Sequence, residues 1–295
     1  MTSNTRVTRR QFVHLSASIA ATLSARVPLV KPQLLFRAPL ALRIGVVDSS
    51  TNASRAEQLG IELGVDEARH AAQLFGGSME VVTITAPSAG DRRLSAIVGC
   101  DGRDCASWAA HAGEMKNLYL NIARTDDALR GTECAASMFH VVPSDSMYRD
   151  AIAMARGSRG DEAAAWDSTL TRFGADTLNQ RFRARFNQGM TSGAWAAWLA
   201  IKILWESSLR QKSGDGSAIA EYLTRDTTQF DGHKGQPLSF RAWDHQLRQP
   251  VYIVSADAAG GRRVKEVPES SDGSLRDALD RLGANRATSL CALAR

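Results

Sequence analysis

The sequence lacks several features that would assign a class of function directly. It has no run of about 18 apolar residues, which excludes a conventional membrane-spanning helix. It also carries none of the motifs G-x-S-x-G, G-x-x-x-x-G-K-[ST], G-x-G-x-x-G or H-E-x-x-H. These motifs accompany hydrolase, nucleotide-binding and zinc-protease sites. We therefore predict that the chain is not an enzyme and needs no cofactor.

Cysteine is scarce, and its spacing argues against structural zinc. The chain has four cysteines, Cys100, Cys105, Cys134 and Cys291, and no two of them form a C-x-x-C pair. This usage suits an oxidising compartment. We predict a disulfide between Cys105 and Cys134, which lie before and after the fourth predicted strand. A Cys100–Cys105 bond and buried reduced thiols remain the alternatives.

The positive charge is distributed unevenly along the chain. A net charge of +5 would ordinarily suggest nucleic acid or an anionic membrane as partner. However, residues 1–40 hold six basic residues and no acidic one, which leaves residues 41–295 with a net charge of −1. The excess positive charge belongs to the N-terminal segment, so we predict no nucleic-acid partner.

Residues 1–41 are predicted to be an export signal. Arg9 and Arg10 are adjacent, Phe12 follows two positions later, and a modest apolar stretch occupies residues 13–25. This pattern resembles a twin-arginine translocation signal; the alternative is a disordered basic arm. The resemblance implies the twin-arginine export machinery as a partner and the periplasm as the location. Two cleavage sites remain as alternatives, one after Ala25 and one near residue 41.

From residue 42 onward, short apolar runs alternate with helical patterns. This alternation predicts a parallel α/β sheet with helices on both faces. Ligands bind such sheets at the carboxyl ends of the strands. The polar residues that follow the first, third and fourth predicted strands are the candidate ligand-binding residues: Asp48, Ser49, Ser50, Asn52, Asp101 and Arg124. For Arg124 the alternative to ligand binding is a surface ion pair with Asp126 or Asp127.

The second half of the chain predicts more helices and fewer strands. The interval 149–173 is mostly Ala, Arg, Gly and Asp and contains no convincing strand. Segments 230–240 and 249–255 predict two strands joined by a polar turn. Further helices are predicted at 146–155, 175–186, 193–209, 217–224 and 275–282.

Several runs, taken in order, resemble one family. Residues 44–47 and 60–68, followed by Gly76-Gly77, are similar to the opening of the type I periplasmic binding proteins, which are substrate-binding components of branched-chain amino acid-type ABC transporters. Residues 141–146 resemble the first crossover between the two lobes of these proteins, and 228–254 resembles their closing strands. Segments 126–131 and 193–202 resemble the subgroup encoded beside pyrroloquinoline quinone-dependent alcohol oxidation systems.

The resemblance implies an α/β fold of two lobes, in which the second lobe is truncated. The family places two more strands and their helices in the interval where this chain has only residues 149–173. We therefore divide the chain into a signal segment (1–41), a first α/β lobe (42–145), a shortened second lobe with returning segments (146–256) and a C-terminal tail with a short helix (257–295).

The function implied by the resemblance is solute binding. Two lobes would close on a small polar organic molecule, and the closed form would dock on the membrane permease of an ABC-type importer. Two alternatives remain: an exported accessory protein or enzyme of a periplasmic quinoprotein oxidation system, and a degenerate remnant that binds nothing.

Overall fold

A computed structural model describes residues 40–48, 55–86, 93–99, 104–256, 261–268 and 275–294. The predicted twin-arginine motif of Arg9, Arg10 and Phe12 lies outside the described residues. The predicted domain boundaries at 41, 145 and 256 remain predictions. In the described part of the chain, no helix has the length and apolar character that crossing a membrane requires.

A five-stranded parallel sheet forms the first half of the fold. The spatial order is β2-β1-β3-β4-β5, and each strand runs parallel to its neighbours. The strands are short apolar runs because both faces of the sheet are covered. This confirms the predicted parallel sheet. In chain order the strands are β1 (Ala41–Val47), β2 (Ser78–Ile84), β3 (Ala96–Gly99), β4 (Leu118–Asn121) and β5 (Met138–His140).

Helices cover both faces of this sheet. One face packs against helices α1, α5 and α6, and the opposite face packs against α2, through Trp108 and Ala109. The flanking helices therefore confirm the predicted α/β class. The helices of the described chain are α1 (Arg55–Leu74), α2 (Cys105–Glu114), α3 (Asp145–Met154), α4 (Ala175–Phe186), α5 (Ser192–Gln211), α6 (Gly216–Thr224) and α7 (Leu275–Asp280).

Helices α1 and α5 approach each other closely because α1 carries two glycines on the contact face. A Cβ atom on Gly60 would lie 2.0 Å from the carbonyl oxygen of Ala194, and one on Gly64 would lie 3.0 Å from Cβ of Ile201. The small residues let backbone meet backbone. This contact fixes the N-terminus of α5 beside the N-terminus of α1.

A second, smaller sheet follows. Its strands are β6 (Glu162–Ala164), β10 (Val251–Ala256) and β11 (Arg262–Val267), in the antiparallel order β11-β10-β6. Helix α3 packs on one face, where Met147 and Ala151 meet Val251, Ile253 and Val267. The expectation that residues 149–173 hold no strand is wrong, because β6 pairs there with the well-defined strand β10.

Strands β7 (Phe230–Asp231), β8 (Pro237–Phe240) and β9 (Leu247–Arg248) form a third, antiparallel sheet. The prediction of two strands joined by one polar turn is therefore incomplete. Segment 230–240 is itself a hairpin, and the second predicted strand, β10, belongs to the sheet described above. A bridge between His140 and Gln246 connects this region to the end of β5.

Candidate functional site

The carboxyl edge of the five-stranded sheet is the place where the sequence predicted a ligand. Asp48 directly follows β1 and is exposed, and its backbone N–H donates to the carbonyl of Ile84 at 2.8 Å. Asp48 is therefore at the predicted edge, with its side chain toward solvent. The predicted residues Ser49, Ser50, Asn52 and Asp101 lie outside the described residues.

Asn121 organises the turn at the end of β4. Its Oδ1 accepts hydrogen bonds from the backbone N–H groups of Ala123 (3.2 Å) and Arg124 (2.8 Å). Its Nδ2 donates to the carbonyl of Arg124 (2.7 Å) and to Nδ1 of His140 (3.0 Å). Since Nδ2 can only donate, Nδ1 of His140 is the acceptor. Burial also lowers the pKa of His140 well below its usual value, which keeps the ring neutral.

Arg124 makes the surface ion pair that was the alternative to ligand binding. Its Nε lies 2.7 Å from Oδ2 of Asp126, and both side chains are partly exposed. Among the described residues, neither Nη group of Arg124 has a hydrogen-bond partner. The ion pair therefore uses only Nε, and the two Nη groups of Arg124 stay available as donors at this edge.

Arg130 is a buried arginine that the sequence analysis did not assign. Its Nε donates to Oε1 of Gln246 at 2.9 Å. Its Nη atoms donate to the carbonyls of Arg124 (2.8 Å), Asp126 (3.1 Å) and Val142 (3.0 Å). Burial lowers the pKa of Arg130 to about 10, so it remains a cation at neutral pH. The guanidinium holds the turn after β4 against the crossover that leaves β5.

Asp127 anchors the same crossover from the other side. Its carboxylate accepts from the backbone N–H (2.9 Å) and Oγ (2.7 Å) of Ser146 and from Nη2 of Arg149 (2.7 Å). Burial opposes its ionisation, but the hydrogen bonds from Arg149 and Ser146 outweigh burial and lower the pKa of the carboxyl. Segment 126–131, used above as a subgroup resemblance, thus has a structural role in fixing the start of α3.

Glu57 is a second acid near this edge that the sequence analysis missed. It lies in the first turn of α1, and its Oε1 would be 2.1 Å from a Cβ atom on Gly193 in α5. Its Oε2 is buried and has no hydrogen-bond partner among the described residues. Burial raises the pKa of this carboxyl. The glycine at 193 is what makes room for the side chain, a signal that becomes readable only with the fold.

A separate groove lies on the second sheet, with a volume of about 360 Å³. Tyr252 and Val264 line it from the face of the sheet opposite α3, and residues 169–173 and His233 line it from the sides. We call it the second-sheet groove. None of the predicted ligand-binding residues lines it.

The predicted disulfide is wrong. Cys134 bonds to Cys291, with the two Cα atoms 5.5 Å apart, across a sequence separation of 157 residues. Cys105 is instead a buried thiol of α2 whose Sγ lies 3.4 Å from Oη of Tyr119. It faces the sheet core, whereas Cys134 faces the C-terminal segment. Cys100, the partner in the other predicted pairing, lies outside the described residues.

Metal binding has no visible basis in the described ranges. No group of three His, Cys, Asp or Glu side chains there could hold a metal ion.

The architecture is that of the type I periplasmic binding proteins, which confirms the predicted α/β fold. The truncation of the second lobe and the subgroup resemblance stay predictions. The chain is similar to a branched-chain amino acid ABC transporter periplasmic ligand-binding protein from Burkholderia xenovorans LB400, with 11% identity and a TM-score of 0.68 over 86% of this chain and 100% of that chain.

Two further solved structures are similar and hold ligands. A branched-chain amino acid transporter substrate-binding protein from Streptococcus pneumoniae, in complex with isoleucine, has 15% identity and a TM-score of 0.61 over 77% of this chain and 99% of that chain. An ABC transporter solute-binding protein from R. palustris, in complex with benzoate, has 10% identity and a TM-score of 0.60 over 78% and 98%. No protein-family profile matches this sequence, and no curated protein sequence does.

Proposed function

We propose that the chain is the periplasmic solute-binding component of an ABC-type importer. The observation that carries the proposal is the fold itself, a parallel sheet connected by a short crossover to a second sheet. Solved proteins with this fold are named as substrate- or solute-binding proteins of ABC transporters. Since a fold alone does not fix a function, the site chemistry has to agree with the proposal.

The proposed ligand is a small polar organic molecule that carries a carboxylate. It would lie at the carboxyl edge of the five-stranded sheet, where Arg124 has two Nη donors without a partner among the described residues. A guanidinium binds a carboxylate through two parallel hydrogen bonds. Asp48, Ser49, Ser50, Asn52 and Asp101 complete the proposed site as hydrogen-bonding residues. Glu57 adds an acid that suits a cationic group of the ligand.

Ligand binding would be coupled to a change in the arrangement of the two sheets. A ligand shifts a conformational equilibrium only by its difference in affinity for the two states. Arg130 and Asp127 hold the first crossover through main-chain hydrogen bonds, so the motion has to occur around this fixed point. The permease of the importer is the proposed partner for the ligand-bound form.

Export by the twin-arginine route belongs to the same proposal. Replacing Arg9 and Arg10 by lysine would keep the charge and remove the arginine pair. We expect the variant to stay in the cytoplasm while the wild-type protein reaches the periplasm, as cell fractionation would detect. A Lys substitution at Arg6 is the matched control. Equal export of all three forms would contradict this route.

The ligand proposal is tested by thermal unfolding of the purified protein against amino acids, small acids and small alcohols. We expect saturable stabilisation by at least one carboxylate. The variant Arg124→Gln should lose most of that stabilisation, whereas Asp126→Asn, which breaks the same ion pair but keeps the cation, should retain it. Cooperative unfolding without any ligand shift would contradict solute binding and would favour the degenerate alternative.

A further inference from the structure

We infer that the second-sheet groove is a separate binding site for a small organic carboxylate with an apolar body. The inference does not depend on the proposed function, because the groove shares no lining residue with the carboxyl edge of the five-stranded sheet. It rests on the size of the groove, on its unused donors and on the strained backbone along one wall.

The floor of the groove supplies an apolar surface with one polar end. Tyr252 and Val264 come from paired strands of the second sheet, and Ala175 begins α4. Tyr252 is only 4% exposed, and its hydroxyl is the polar end of this surface. A tyrosine combines an apolar ring with a hydroxyl that can bond a ligand. A volume of about 360 Å³ falls within the range of small-molecule sites.

Two arginines at the groove have donors that the described residues do not use. Arg262 donates only from its Nε, to Oδ2 of Asp167 at 2.7 Å, so both Nη groups are without a partner in the described chain. Arg172 is exposed, and its guanidinium makes neither a hydrogen bond nor an ion pair to any described residue; it lies 4.8 Å from the centroid of the Phe173 ring. Guanidinium groups with free Nη atoms bind carboxylates.

The unused donors of the lining, rather than its net charge, favour an anion. Glu266 is the single acid among the groove residues, and its Oε1 already accepts from Nε2 of Gln236 at 2.5 Å. Glu266 and Asp167, the partner of Arg262, together balance the charge of the two arginines. A carboxylate placed toward Arg172 and Arg262, with its apolar body over Tyr252, would use the unpaired Nη donors and cover the apolar floor.

One wall of the groove is held in a left-handed backbone conformation. Phe173 has φ 58° and is followed by Gly174 at φ 83°; opposite them His233 has φ 59° and Gly235 has φ 73°. Nδ1 of His233 lies 3.3 Å from the carbonyl oxygen of Phe173 and joins the two turns. A bulky residue at positive φ costs free energy, and such strain concentrates at functional sites.

The two glycines are required for this wall. A Cβ atom on Gly174 would lie 2.9 Å from Nδ1 of His233, and one on Gly235 would lie 2.3 Å from Cε2 of Phe173. The Phe173 ring is nevertheless 48% exposed beside the groove. The two turns at positive φ thus place Phe173 as an aromatic rim beside the groove.

The inference is tested by calorimetric titration of the purified protein with two matched pairs, benzoate against benzamide and hexanoate against hexanamide. We expect saturable binding of at least one carboxylate and at least tenfold weaker binding of its amide. The variant Arg172→Gln should weaken carboxylate binding by about tenfold to a hundredfold, since it removes charge-assisted hydrogen bonds. Arg183→Gln, on the exposed face of α4, is the matched control and should bind like wild type.

A second variant keeps the test independent of charge. Val264→Phe would fill the floor of the groove and should abolish binding, with thermal unfolding as the check that the variant is folded. Equal affinity for carboxylate and amide would overturn the inference, as would wild-type binding by both Arg172→Gln and Val264→Phe. Loss of binding in Arg124→Gln alone would place the ligand at the edge of the first sheet and overturn the groove while supporting the proposed function.

Discussion

Buried cations near the crossovers are each satisfied by oxygen acceptors. Lys234 is fully buried, donates to Oε1 of Gln249 (2.8 Å) and to the carbonyl of Pro250 (2.9 Å), and lies 3.9 Å from the centroid of the Trp195 ring. Arg241 donates to the carbonyls of Leu279 and Leu282 and to Asp280. Unpaired buried charges would be very costly, so these contacts keep the connecting segments in one arrangement.

His245 predicts an acid-sensitive stability. Burial lowers its pKa to about 4, while its Nδ1 lies 3.1 Å from the carbonyl of Met138. Below pH 6.5 the unfolded chain binds the proton first, so stability is lost as the pH falls from about 6.5 through 4. The loss amounts to roughly 3 kcal/mol. His245→Asn should remove this part of the loss, because asparagine tolerates the positive φ of 51°.

The measurement is urea unfolding at pH 7 and at pH 4.5. Wild type should lose more unfolding free energy between the two pH values than His245→Asn does. The exposed His70 provides the control substitution, His70→Asn, which should follow wild type. Parallel losses in wild type and His245→Asn would contradict the assignment.

The disulfide makes a second prediction at the residue scale. Cys291→Ala should lower the free energy of unfolding by about 2–5 kcal/mol, because the bond joins residues 157 positions apart. A reductant should lower the free energy of unfolding of the wild type to that of the variant, and it should leave the free energy of unfolding of the variant unchanged. Peptide mapping without reduction should recover the Cys134–Cys291 link; recovery of a link to Cys105 would show that the connectivity is wrong.

Among the elements, the regular parallel half could be predicted from sequence, whereas two of the three strands of the second sheet could not. Strands β1 and β3 are apolar runs ended by polar or glycine residues, and such runs are what predicted the parallel sheet. Strand β6 is Glu-Ala-Ala, and β11 is Arg-Arg-Val-Lys-Glu-Val at a sheet edge. Neither carries the apolar pattern that identifies a buried strand, and both depend on β10 for their pairing.

The site shows the same division. Sequence alone indicated the carboxyl edge of the sheet as the place for a ligand, because this follows from the order of the strands. It also left two roles open for Arg124, ligand binding and an ion pair with Asp126 or Asp127. The second-sheet groove was beyond reach, since it joins residues 169–175 to residues 233–266 through pairing that leaves no local signal. Cys291 was equally remote from Cys134 in sequence.

The contact between α1 and α5 gives a prediction at the element scale. Gly60→Ala would place a methyl group 2.0 Å from a backbone oxygen that cannot move independently. We expect a loss of about 1–3 kcal/mol or more in the free energy of unfolding. Gly113→Ala in α2 is the control, since its new Cβ would have no neighbour closer than 3.4 Å; it should be neutral or stabilising by up to about 1 kcal/mol. Equal effects of the two substitutions would contradict close helix packing.

At the scale of the whole molecule, the proposal of solute binding rests on the charge, the fold and the two candidate sites. Residues 41–295 carry a net charge of −1, although the whole chain carries +5. Each candidate site presents guanidinium groups with donors that the described residues leave unused, at Arg124 and at Arg172 with Arg262. A carboxylate is the ligand chemistry common to both.

The most direct test of solute binding is a calorimetric titration of the purified protein with the carboxylates that stabilise it in thermal unfolding. We predict a saturable isotherm with a dissociation constant on the order of 10⁻⁶ M or tighter, and a much weaker one for the matching amide. A protein that unfolds cooperatively, yet gives only heats of dilution with every carboxylate and amino acid tried, would contradict the account.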